Sequence, residues 1–185
     1  MIKISAENIK NAQKMLEIAP KEVTSAAVAA INRAATAVNA QVSKSIRERY
    51  VIKAKDLNKH IKKYRANRST LTAKIIGTSD RLLITYFDVK RSKKGKGPVR
   101  ARVLKASSLK AVPGMFFGTT KRGFTGVLKR IGKARYPLDV PHGPSVPSMF
   151  GNNDVMKEVT AIADETLNKR FEHEINHRFS KIWSE

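Results

Sequence analysis

Four prolines in eleven residues, Pro137, Pro141, Pro144 and Pro147, constrain this chain more than any other feature. Each lacks a backbone donor and pushes the residue before it into extended conformation, so the stretch from Arg135 to Phe150 is predicted to be neither helix nor interior strand. Yet it carries Tyr136, Leu138, Val140, Val146, Met149 and Phe150, too much apolar surface for a solvated linker. It reads as a strap pinned to something. Tyr136, Leu138, Val146 and Met149 are expected to bury against the body or an adjacent subunit, each burial being worth roughly 1.5–3 kcal/mol.

The chain leading into the strap reads as β-structure. Val127 and Ile131 alternate with Lys129, and glycines at 123, 126 and 132 supply turns or bulges, which predicts an antiparallel pair. Upstream, Leu71, Ala73 and Ile75 alternate with Thr72 and Lys74, and Leu82 to Val89 resumes the pattern through Ile84 and Tyr86. Val99, Ala101 and Val103 alternate with Arg100 and Arg102, as in a sheet with one buried face and one basic, wet face. Lys90, Arg91, Lys93, Lys94 and Lys96, with two glycines, fall between these last two strands and predict a cationic hairpin tip.

Charge follows the same layout. Lys44 to Arg135 holds 27 basic and 4 acidic residues, while the flanks hold 10 and 11, so the whole net charge of +22 arises in the middle. From Val89 to Leu138 there are fifteen basic residues and no acidic one. A block of this kind repels itself unless it meets a polyanion, so nucleic acid or an acidic protein partner is implied; a solvated basic face is the plainer reading. Lys90, Arg91, Lys93, Lys94, Lys96, Arg100 and Arg102 are the candidate contacts with DNA or an acidic partner. They would grip phosphates without reading bases.

Helices occupy both ends. Ser5 caps a first predicted helix with Ile9, Ala12, Met15, Leu16 and Ile18, and Pro20 starts a second that runs to about Arg49 through Val23, Ala27, Ala30, Ala34, Val38, Val42 and Ile46. Its many alanines let a partner backbone come close. From Ala54 to Arg68, a short basic amphipathic helix and a loop fit the residues equally well. The closing helix starts at Asn153 or Asp154 and runs to about Trp183. Its apolar residues recur every four positions from Val155 to Trp183, overshooting a turn by about 40° each time, so the stripe rotates and one flat partner cannot bury all of it. Phe171, Phe179 and Trp183, in the second half, are expected to meet a bend, the N-terminal helices or a neighbouring subunit.

One motif resembles catalytic chemistry. His173-Glu174-Ile175-Asn176-His177 matches the H-E-x-x-H of zinc hydrolases, in which two histidines one turn apart bind the metal and the glutamate polarises water. Only eight residues follow His177, which leaves no room for a downstream ligand, and the histidines lie opposite Phe171, Ile175 and Ile182 on the helical wheel. The motif therefore reads as polar helix surface, with zinc hydrolysis as the rival. No catalytic residue, metal or cofactor is expected. The absence of cysteine excludes disulfides and thiolate metal sites. No signal-peptide pattern or membrane-length apolar run is present, so a soluble protein made inside the cell, with no membrane partner, is expected.

Gly126-Val127-Leu128-Lys129-Arg130, Gly132-Lys133-Ala134-Arg135-Tyr136-Pro137-Leu138 and Gly143-Pro144-Ser145-Val146-Pro147 resemble the hallmark segment of the phage minor tail protein Z family. The likeness extends upstream to Ala30-Ile31-Asn32-Arg33-Ala34 and downstream to the closing helix. It implies a non-enzymatic tail-completion protein at the head-proximal end of a phage tail, made in the host cytoplasm and needed for head-tail joining. Implied partners are further copies in a hexameric ring, tail terminator and head-tail connector proteins, and genomic duplex DNA. The expected fold is α+β in one domain, 1–185: a helical part over 1–68, a small basic antiparallel sheet over 69–135, a proline-rich extended strap over 136–152 and a long C-terminal helix over 153–185. The rival reading from charge is a free, sequence-independent nucleic-acid-binding protein.

Overall fold

Pro20 opens α1 (Pro20–Arg49), a 30-residue helix, where its missing donor costs nothing in the first turn. The computed structural model describes residues 20–91, 98–120 and 123–182. The predicted first helix from Ser5, the tip lysines Lys93, Lys94 and Lys96, and Trp183 lie outside the described residues, as does the side chain of Phe179. Helices and small antiparallel sheets make an α+β fold.

The chain forms two compact units. The first comprises Met1–Val42, Lys62–Ile76 and Gly151–Glu185. It is built on α1 and the closing helix, α4 (Asn153–Ile182). Val23, Ala26 and Ala30 of α1 form a buried cluster with Phe171 and Ile175 of α4, joined by Ala27 and Leu167. Alanine at 26 and 30 keeps the two backbones close, which is why this stripe is poor in large side chains. Along α4, Val155, Ala163, Phe171 and Ile175 are buried, whereas Val159 and Leu167 are half-buried, as a rotating stripe requires.

A side-chain clamp holds the intervening segment in this unit. Asn32 Nδ2 donates to the Ala66 carbonyl (3.0 Å) and the Ala66 amide donates to Asn32 Oδ1 (2.9 Å). Next to it, Asn67 Oδ1 accepts from the amides of Ser69 (3.0 Å) and Thr70 (2.6 Å). That turn overrides the alternation read from Leu71 to Ile75. The strand begins only at Lys74, and Leu71 is exposed.

The second unit comprises Ser43–Ile61 and Gly77–Phe150. The expected small sheet is instead four: β1 (Ile61–Tyr64) with β2 (Lys74–Gly77), which belongs mostly to the first unit, and in the second β3 (Arg81–Leu83) with β10 (His142–Ser145); β4 (Asp88–Lys90), β5 (Arg100–Arg102) and β6 (Lys110–Ala111); and β7 (Met115–Thr119), β8 (Thr125–Arg130) and β9 (Leu138–Asp139). A 3-10 turn at Ile84–Tyr86 splits the run expected from Leu82 to Val89. Over residues 54–68 the structure resolves the helix-or-loop alternative as α2 (Ala54–Asn58), anchored by fully buried Leu57, followed by β1.

The β7–β8 hairpin has the predicted antiparallel pairing, with Phe117 opposite Val127 and Phe116 opposite Leu128. Its facing differs from expectation. Val127 and Leu128 are both buried, so both faces are covered, and Ile131 lies beyond the strand end at 67% exposure.

Regular structure in the proline segment is a correction to the sequence reading. Pro144 lies in β10 at a register shift between His142 and Ser145, and β10 has one partner strand, so a missing donor can be tolerated there. Pro147 sits in the first turn of the short helix α3 (Val146–Phe150), where no intrahelical bond is lost. A Cβ at Gly143 would collide with the Phe87 ring, and one at Gly77 would come within 2.6 Å of Val146 Cγ1. Both glycines are therefore required by close approach. The Gly143-Pro144-Ser145-Val146-Pro147 run is a packing device.

Candidate functional site

The basic hairpin is organised by β4 and β5. Their register sets Asp88 opposite Arg102, Val89 opposite Ala101 and Lys90 opposite Arg100. Cross-strand partners share a face, so Asp88, Lys90, Arg100 and Arg102 lie on one side and Val89 and Ala101 on the other. Arg102 was expected on the open basic surface, but its Nη2 donates to Asp88 Oδ2 at 2.8 Å and its charge is balanced there. Lys90 and Arg100 are both exposed, and like charges directly opposed on a sheet are destabilising. Arg91 lies over the Phe117 ring, 4.8 Å from its centroid, which fixes the strand exit against the β7–β8 hairpin. The positive charge is thus concentrated at the end of the β4–β5 pair.

The residues predicted to pack divide in two. Val146 and Met149 are fully buried in the second unit, and Leu138 is half-buried opposite Arg130. Tyr136 differs, at 51% exposure, because it stands before β9 begins and beneath the Arg135 guanidinium, 5.8 Å from its ring centroid. Phe171 lies in the α1–α4 core of its own unit.

The structure divides the H-E-x-x-H residues. His173 and His177 are exposed, their rings stacked with centroids 6.3 Å apart. Glu174 is buried at 5% exposure, and its Oε1 is 2.8 Å from Arg33 Nη1. Its Oε2 is 3.7 Å from Arg178 Nη2, while Arg178 Nη1 is 2.8 Å from Glu22 Oε2. The carboxylate that would have to polarise water is committed to two arginines. Among the described residues no group of three or more histidines and acids is placed to hold a metal. The helical wheel places the two histidines on the polar face, as the structure does, but does not separate Glu174 from them. The position of Glu174 three residues after Phe171, on the stripe that meets α1, was the available signal for this ion-pair chain.

Sequence reasoning also missed an arginine-lined groove of about 580 Å³ in the first unit. Its walls are Arg33, Arg65 and Arg170, with Ala29, Ala37 and Ala40 along its α1 side. Lys63 Nζ donates to Thr36 Oγ1 (3.0 Å), and Thr36 also lines the groove. No helix among the described residues is long and apolar enough to cross a membrane.

Comparison with curated proteins and with solved structures gives no match. The family described as prophage minor tail protein Z (GPZ) matches residues 6–184. That span takes in both units, the β4–β5 hairpin and the glycine-proline packing segment, and the chain belongs to this family of phage tail structural proteins.

Proposed function

We propose that the protein completes the head-proximal end of the tail as a homo-oligomeric ring, hexameric by analogy with neck assemblies, and that the β4–β5 end of its second unit holds duplex DNA by phosphate contacts. It works by binding, without substrate turnover, beside tail terminator and head-tail connector proteins. One observation carries the DNA reading: Lys90 and Arg100 are opposed and exposed, while the next pair, Asp88 and Arg102, is neutralised. Two further facts support it. The second unit holds 22 basic and 5 acidic residues, against 15 and 10 in the first. Lys93, Lys94 and Lys96 are joined in sequence to the same strand ends.

Such a surface should bind duplexes of unrelated sequence alike, with the logarithm of affinity falling against the logarithm of salt by about 0.9 per phosphate neutralised. Changing Lys93, Lys94 and Lys96 to Gln should make that slope shallower. In particles, normal head joining with leaking DNA is the expected phenotype. Failed joining with unchanged DNA affinity would instead assign the surface to an acidic ring neighbour.

A further inference from the structure

We infer that the first unit carries both halves of a head-to-tail contact between copies of this chain: the Arg33–Arg65–Arg170 groove of one copy receives the outer face of α4 from the next. This names the contact that the proposed ring requires and rests on that part of the reading. The donor surface is a stripe on α4. Asp154, Glu158, Glu165 and Glu172 recur at intervals of four and seven residues, which keeps them on one helical face. All four are exposed, and Ala161 between them is exposed as well. In mid-helix the face lies opposite Ala163 and Leu167, buried and half-buried, and opposite Glu174, which pairs with Arg33 of α1; toward the C-terminal end the rotating core residues Phe171 and Ile175 come closer to it, and Glu172 still stays exposed. Lys157 and Lys169 flank it on either side, and four carboxylates against two lysines leave the stripe net acidic.

The acceptor surface is the groove, and its chemistry is complementary. Among the described residues Arg65 and Arg170 make no ion pair, and Arg33 is half-exposed beyond its bond to Glu174. Guanidinium groups bind carboxylates with two parallel hydrogen bonds, which suits them to glutamates presented at helical spacing. Ala29, Ala37 and Ala40 keep the α1 side low enough for a helix to approach. Stripe and groove are different surfaces of one unit. Their pairing is therefore heterologous, the kind of contact that closes rings or builds filaments and that a two-fold dimer does not use.

The test uses purified full-length protein, with mass measured across concentration at about 0.1 M salt, where charges interact over about 10 Å. Wild type should form species larger than a dimer. Glu165→Lys with Glu172→Lys should be monomeric, and so should Arg65→Glu with Arg170→Glu. A one-to-one mixture of the two should regain association, because each supplies the surface that complements the other's altered one; that recovery also shows both variants to be folded. Wild type that stays monomeric, variants that keep the wild-type mass, or a mixture that fails to associate would overturn the proposal. So would an arginine variant that loses duplex binding while its self-association is unchanged, which would make the groove a phosphate site. No particle is involved, so failure here refutes this contact and leaves the tail position to be decided by virion composition.

Discussion

Glu174→Gln keeps the side chain's volume and removes its charge, separating a structural carboxylate from a catalytic one. Glu174 is buried between Arg33 and Arg178, and hydrogen bonds to charged groups contribute about 1.5–3 kcal/mol when intact. Two features lower the expected loss. Arg33 is half-exposed and recovers water, and Arg178 keeps Glu22 at 2.8 Å. The glutamine oxygen can also still accept one bond from Arg33. A net destabilisation of about 1–2 kcal/mol follows, or a fall in Tm of roughly 2–8 °C for a protein of this size. His173→Ala and His177→Ala, on the exposed face, should each stay within about 0.5 kcal/mol of wild type. Thermal and urea unfolding of the three variants gives the comparison. A Glu174→Gln protein of wild-type stability, or a histidine variant destabilised more than it, would refute the ion-pair account.

At fully buried positions, Met149→Ala should destabilise by about 2–5 kcal/mol and Val146→Ala by about 1–3 kcal/mol in urea unfolding, whereas Tyr136→Ser should be nearly neutral in the isolated protein; equal losses at all three would contradict the burial pattern. Gly143→Ala should lose about 1–3 kcal/mol to collision with Phe87, and adding Phe87→Leu should recover part of it in a double-mutant cycle. Lys90→Gln with Arg100→Gln should reduce the salt slope of duplex binding by about 0.9 per lost phosphate contact, while Arg102→Gln, whose charge is already balanced by Asp88, should change it less.

Local chemistry made much of this protein legible in its residues. Pro20 and the spacing from Val23 to Ile46 marked α1 (Pro20–Arg49), and the four-residue recurrence from Val155 marked α4 (Asn153–Ile182), because helical periodicity and first-turn proline depend only on the chain itself. The β7–β8 pairing and the cationic charge beside β4–β5 were visible for the same reason. Tertiary structure decided what each side chain faces. Alternation alone could not show that Val127 and Leu128 are both covered, that Asp88 balances Arg102, or that Asn67 takes the backbone bonds that would have extended a strand toward Leu71. Proline was read through the donor it lacks, yet Pro144 and Pro147 fall where no donor is required, an edge at a register shift and a first helical turn. Glu174 shows the same division. Its place in H-E-x-x-H is local, but its role is set by Arg33, 141 residues earlier in the chain, because a buried charge is governed by the partner that folding brings within 2.8 Å.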